Sequence, residues 1–287
     1  MDAIFKKACL VQFSASVWQG TRMIDPALME SLGQNSDWVK ARKRLINPEL
    51  LGPIKTAVHQ ARNNIQKHAL PFPITALYLI PKESLTMIDE TLQQFKERFW
   101  AKVNEFEAHY EEAREEAKAV LGELWNETDY PSDVTAKFNF EWRFLILDVP
   151  SKSSVLPPEV YAREKEKFQS LMEETRTLAA EALAKEMGDI VHNLSERLSG
   201  GNKTLSSNML NKLKEFLDAF ETKNIFENER LTELVTQTRE IVGGVTPYGL
   251  RYNESIRQRI STDMANLKSA IDEAIEDLPR RKLRLAA

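Results

Sequence analysis

The stretch Lys137–Val149, KFNFEWRFLILDV, sets the problem of this fold. Phe138, Phe140, Trp142, Phe144 and Ile146 fall on alternate positions, so a period of two places them on one face of an extended strand. Long, charged, helix-like runs flank that strand on both sides. A strand without a neighbour leaves backbone N–H and C=O groups unpaired. Its partner must therefore come from elsewhere in the chain or from another chain.

Upstream, residues 82–125 hold one glycine, Gly122, and no proline. Their apolar stripe runs Leu85, Ile88, Leu92, Phe95, Phe99, Val103, Phe106, Tyr110, Ala113, Ala117, Val120, Leu124. The spacings alternate three and four except for a doubled four at Phe95–Phe99–Val103, which predicts a heptad seam with one stutter. A straight helix of that length would measure roughly 65 Å. Downstream, a second long helix is predicted over about Pro158–Leu198, stopped by Gly200 or Gly201. The two read as an antiparallel, coiled-coil-like hairpin carrying the strand near its tip. The N-terminal region supplies further strands at residues 8–19, ACLVQFSASVWQ, and 72–80, FPITALYLI, with helical pieces at PALMESLG, SDWVKARKRL and from Pro48 to Leu70.

The predicted fold is mainly α with a small α+β head. Its sequential parts are a head over 1–80, the hairpin with its strand segment 137–149 over 81–200, and a C-terminal helical region with a basic tail over 201–287. The roughly ten residues that precede the strand span at most ~35 Å. Three pairings stay open for it: the long helix bends or breaks, near the stutter or Gly122, and returns the strand to the head; the tip forms its own small sheet, as a hairpin with Asp133–Lys137; or the tip of one subunit meets the head of another.

Composition narrows the function classes. The 287 residues carry a net charge of −4, with 42% apolar and 29% charged residues and only 10 glycines. That balance favours long helices with solvated faces and lacks the overall basic footprint of a general nucleic-acid binder. Cys9 is the single cysteine, so no internal disulfide can form, in keeping with a reducing compartment. The opening residues, MDAIFKKACLVQFSASVWQG, carry an early Asp2 and an apolar stretch broken by Gln12, Ser14 and Ser16, unlike a secretory signal. No run approaches the ~18 apolar residues of a membrane span. A cytoplasmic protein without membrane contact is expected.

No motif nominates a catalytic residue, a cofactor or a metal. His59, His68, His109 and His192 never stand three or four apart, so no helix presents a ready-made metal pair. SGGNKTLSS at 199–207 places glycines before Lys203 and Thr204, but Asn202 stands where a phosphate loop needs its last glycine, and a helix precedes it. Glu111, Glu112, Glu115, Glu116, Glu173 and Glu174 lie opposite apolar stripes, where carboxylates are solvated and not tuned for acid–base work. Cys9, inside a predicted strand, reads as a small core residue.

Two binding surfaces are candidates. Ile256, Ile260, Met264, Leu267, Ile271 and Ile275 repeat at near-heptad spacing in the last helix and are expected to form an exposed docking face for a protein partner. Lys40, Arg42, Lys43 and Arg44, with Arg280, Arg281, Lys282 and Arg284 in the tail, are expected to contact phosphates if a nucleic acid is bound.

FSASVWQGTR at 13–22, LTMIDETLQQF at 85–95 and FNFEWRFLILDVP at 138–150 resemble a family of uncharacterised bacterial and phage proteins carried on mobile elements. The resemblance spans most of the first 200 residues. It implies genes near MoxR- or CobS-like AAA+ ATPases and von Willebrand factor A proteins, and an accessory or adaptor role beside an ATPase. It transfers no catalytic residues. The resulting expectation is a non-enzymatic scaffold or adaptor acting through helical contacts, with an AAA+ ATPase as partner and homo-oligomerisation open. The alternative is a nucleic-acid-binding accessory protein in phage or mobile-element DNA metabolism.

Overall fold

Alternation in Lys137–Val149 does produce a strand, and its neighbour comes from the N-terminus of the same chain. The computed structural model describes residues 6–27, 38–146, 155–199 and 207–278. Strands β1 (Ala8–Ser16), β4 (Leu70–Pro71), β5 (Leu77–Pro81) and β6 (Asn139–Leu145) form a four-stranded sheet in the order β4-β5-β1-β6. A second, two-stranded sheet pairs β2 (Thr21–Met23) with β3 (Arg42–Arg44). The helices are α1 (Gly52–His68), α2 (Leu85–Ala108), α3 (Tyr110–Leu121), α4 (Pro158–Ser199), α5 (Ser207–Lys223), α6 (Glu229–Val242), α7 (Pro247–Tyr252) and α8 (Glu254–Glu276). The class is therefore mainly helical with a small antiparallel sheet component, and α4 is its long helix, at 42 residues.

The chain divides into two compact units, each assembled from separate stretches: Met1–Val11, His68–Leu85 and Phe144–Ala287 in one, Gln12–Lys67 and Thr86–Arg143 in the other. These divisions do not follow the sequential boundaries at 80 and 200. Strand β1 runs through the division, and its burial changes there. Ala8, Cys9, Leu10 and Val11 are all buried, as in a strand covered on both faces, whereas Gln12–Ser16 alternates.

The unit holding α4 is a helical bundle. Pro158 opens α4, where a missing N–H costs nothing. Its buried positions include Met172, Ala179, Ala180, Leu183, Ala184, Met187, Val191 and Leu194, a band wider than one stripe because α5, α6 and α8 all pack on it. Gly188 faces α8, where a Cβ would sit 3.4 Å from Ile271 Cγ2, an ordinary van der Waals contact. Three caps define helix starts: Asn228 Oδ1 accepts from Leu231 N at 2.9 Å, the Thr246 hydroxyl from Gly249 N at 3.0 Å, and Asn253 Oδ1 from Ile256 N at 3.1 Å. Polar groups inside the bundle are satisfied locally. Thr175 donates to Leu171 O at 2.7 Å, Thr238 to Leu234 O at 2.6 Å, and the Lys223 ammonium to Glu186 Oε2 at 2.8 Å.

In the other unit, the stripe predicted to be a coiled-coil seam packs against aromatic residues instead. Phe99 meets Phe140 at 5.3 Å and Phe138 at 6.4 Å between ring centroids, Phe106 meets Phe138 at 5.9 Å, and Phe13 of β1 meets Phe140 at 5.1 Å. Trp18 lies against Phe106 and Tyr110. Burial in this cluster raises the Tyr110 phenol to about 12 despite the opposing pull of Arg114. The long helix does not run straight through to Trp125. It breaks at His109, whose Nδ1 lies 2.8 Å from the Glu105 carbonyl, the group its own N–H would take in an unbroken helix. That N–H bonds Phe106 O at 3.1 Å instead, and α3 restarts with Ala113 N on His109 O at 3.0 Å. Gly122, at φ 52°, ends α3 and turns the chain.

One expected helix is a strand. In SDWVKARKRL, residues 42–44 form β3, with Thr21↔Arg44, Arg22↔Lys43 and Met23↔Arg42 as antiparallel partners. The helical propensity of that segment loses to the ladder and to an ion pair beneath it. Residues 28–37, which include most of the expected PALMESLG helix and the first two residues of SDWVKARKRL, lie outside the described residues.

Candidate functional site

The near-heptad stripe of α8 is in place but already occupied. Ile260 is 1% exposed, Met264, Leu267 and Ile271 are buried, and Ile256 and Ile275 are partly buried on the same core. The helix packs chiefly on α4, and then on α6 and α7. The expected exposed docking face is therefore corrected to an internal one. A near-heptad stripe records only that a helix wants a partner, and here the longest helix of the same chain supplies it.

Pleating separates the basic cluster. Arg42 and Arg44 point outward on β3 and are exposed, as is Lys40, while Lys43 faces the opposite way. The Lys43 side chain is 11% exposed; it lies 2.6 Å from Asp129 Oδ2 and donates to Leu124 O at 2.5 Å. Arg22, its cross-strand partner, reaches Asp129 Oδ1 at 3.3 Å. Beside this pair the Tyr130 hydroxyl donates to Leu45 O at 2.9 Å. Lys43 is thus a structural pin, and its expected role as a phosphate contact is corrected, because its charge is spent on Asp129. The outward ribbon face keeps Lys40, Arg42 and Arg44, with Arg42 Nε directed at Met23 Sδ at 3.2 Å. Trp38, 88% exposed, stands close by in sequence. Arg280, Arg281, Lys282 and Arg284 lie outside the described residues.

Replacing Asp129 with Ala would leave the shielded Lys43 ammonium without its counter-charge. Unpairing one member of a shielded ion pair typically costs about 3 kcal/mol. Denaturant titration of Asp129→Ala against wild type measures it, with Lys43→Met/Asp129→Leu expected to recover much of the loss.

A different surface escaped the motif reading. The aromatic face of β6 is graded: Phe138 and Phe140 are buried, Trp142 is half-buried, and Phe144 is exposed. Past the strand end Ile146 is 84% exposed, and across residues 147–154 Val155 is 87% exposed, with Leu145 and Leu156 also open. Trp142 is held by its indole N–H donating to Asp89 Oδ1 at 2.8 Å, with Lys96 over the ring at 5.6 Å. The signal was present in the unbroken apolar run Phe144–Ile146, which carries the strand pattern past the point where helix α2 covers it.

Reactive groups are quiet. Burial pushes the Cys9 thiol up, away from the thiolate a nucleophile needs. Among the described residues no His, Cys, Asp and Glu side chains gather as a metal site, and no helix is long and apolar enough to cross a membrane.

A mainly helical fold with a short mixed-in sheet and open apolar and basic surfaces defines the class. The chain belongs to the family described as "Protein of unknown function (DUF3150)", whose model matches residues 5–253. Comparison with curated proteins found no match, and comparison with solved structures found none either.

Proposed function

We propose that this protein is a non-enzymatic scaffold or adaptor that works by protein contact. The observation that carries the reading is the exposure of three consecutive large apolar side chains at the exit of β6, Phe144, Leu145 and Ile146, and of two more further along the chain, Val155 and Leu156. Consecutive large apolar side chains left open to solvent suit a site where another protein docks. The docking surface is thereby moved from α8, whose stripe is filled, to the exit of β6. The family resemblance carried by FSASVWQGTR, LTMIDETLQQF and FNFEWRFLILDVP supplies the partner class, a MoxR- or CobS-like AAA+ ATPase in a bacterial or phage mobile-element setting.

The test is co-purification from the native host with and without nuclease, comparing wild type with Ile146→Asp/Val155→Asp. Both positions are more than four-fifths exposed, so the variant should stay folded. Nuclease-resistant retention of an AAA+ ATPase by wild type, reduced at least tenfold in the variant, is the expected result. Equal retention by both chains would remove this surface from consideration.

A second reading is favoured by the β2–β3 ribbon. Lys40, Arg42 and Arg44 are exposed together, with an exposed tryptophan nearby, and a two-stranded ribbon with outward arginines suits a nucleic-acid groove. In that reading the protein is an accessory factor in phage or mobile-element DNA metabolism. Its signature is steep salt dependence, with a slope that falls when Arg42 and Arg44 are both changed to Gln.

A further inference from the structure

The two borders of the four-stranded sheet are built differently. At one border β4 is two residues long and ends in Pro71, two devices that blunt an edge against pairing. At the other border β6 is seven residues long, without proline or glycine, and among the described residues no strand lies on its far side. Its free edge presents a row of backbone donors and acceptors.

The sequence of that edge is self-complementary. In an antiparallel pairing of two copies centred on Trp142, Glu141 faces Arg143 of the other copy, and Arg143 faces Glu141. On the opposite side of the ribbon the half-buried Trp142 faces Trp142, while Phe140, already buried within its own chain, stands across from Phe144 in the register. Both charged residues project from the same face of β6, where Arg143 Nη2 already lies 3.7 Å from Glu141 Oε2, and their side chains are 68% and 45% exposed. A two-fold axis through residue 142 thus turns one loose intrachain contact into two cross-strand ion pairs and sets Trp142 opposite Trp142. Such pairs are the unit of sheet stabilisation, and self-complementarity about a point is what a two-fold interface requires.

We infer that β6 is a homodimerisation edge: a second copy of this chain adds its own β6 antiparallel, in the register Glu141↔Arg143, Trp142↔Trp142. This occupant is set by the placement of one acid and one base about a central aromatic residue, which suits a second β6 and not an arbitrary strand. The inference goes beyond the adaptor reading and does not depend on it.

Charge reversal tests it on the full chain, read by sedimentation velocity over a range of concentrations. Wild type should show a concentration-dependent monomer–dimer equilibrium. Glu141→Arg and Arg143→Glu each set like charges opposite one another at both symmetric positions and should weaken the dimer by about tenfold. Mixing the two variants should restore association as a heterodimer, resolved by a mass tag, and the double variant Glu141→Arg/Arg143→Glu should dimerise like wild type. Circular dichroism on each variant checks that the strand survives. A wild-type chain that remains monomeric throughout, or a dimer that neither single reversal weakens, overturns the inference. Ile146→Asp/Val155→Asp lies outside the paired register and should leave dimerisation unchanged, so failure of partner docking and failure of self-association are separable.

Discussion

Ile260→Asp will unfold the helical bundle and will not leave a folded protein with a silenced docking face. Ile260 and Ile271 are both buried, on a helix packed chiefly on α4. A carboxylate placed at so buried a position is either held charged away from water or must take up a proton. Added to the cavity left by the lost isoleucine, the expected cost is about 5 kcal/mol for one substitution. That equals the whole stability of many domains, so Ile260→Asp/Ile271→Asp should show no cooperative unfolding transition from α8 and its partners. Ile260→Val is the calibration, at about 1 kcal/mol. Urea titration followed by far-UV circular dichroism distinguishes the cases. A variant with wild-type helicity and an unchanged midpoint would mean that α8 does not sit on α4 in solution.

The second large effect is expected at Phe99. It is fully buried and touches both Phe138 and Phe140, so it joins helix α2 to the face of strand β6. Phe99→Ala should cost about 3–5 kcal/mol, and Phe140→Ala a similar amount. Because the two rings are in contact, the double variant should cost less than the sum by about 1 kcal/mol, the size of an aromatic pair beyond its area burial. The same cycle run between Phe99 and Phe144, which is exposed, should give no coupling. A coupling of zero between Phe99 and Phe140 would place the strand elsewhere.

These two positions show how far the sequence could be read. The stripe on residues 85–117 was legible because burial repeats every three or four residues whatever lies opposite, and Ile88, Leu92, Phe99, Val103, Phe106, Tyr110, Ala113 and Ala117 are all buried. Val120 continues the stripe in sequence yet is 79% exposed, because the packing ends at Ala117, before α3 itself ends at Leu121. What the stripe could not say was the identity of its partner. A heptad seam against a helix and a helical stripe against an aromatic strand use the same spacing. The same ambiguity turned the α8 stripe into an expected docking face: amphipathicity shows that a face is covered, not by which chain.

The basic segment failed for a different reason. Lys40–Arg44 has good helix formers, and nothing local forbids a helix. The deciding partners, β2 and Asp129, lie about twenty and more than eighty residues away. Once the ladder forms, its alternation sends Arg42 and Arg44 outward and Lys43 inward, so one cluster in sequence becomes two environments in space. The break at His109 was equally hidden, since it depends on an imidazole competing with the backbone for one carbonyl.

Local pattern alone settles the mainly helical class, a strand within Lys137–Val149 with one aromatic face, and much of the glycine and proline punctuation. These are local properties, set by side-chain period and by the backbone preferences of single residues. Only the tertiary structure decided that β6 lies beside β1, that α8 is filled by α4, that Lys43 is a pin, and that the aromatic face of β6 emerges into solvent after Trp142. Each of those depends on which long-range surface wins the competition to cover an apolar face or neutralise a charge, and a period along the chain carries no record of that choice.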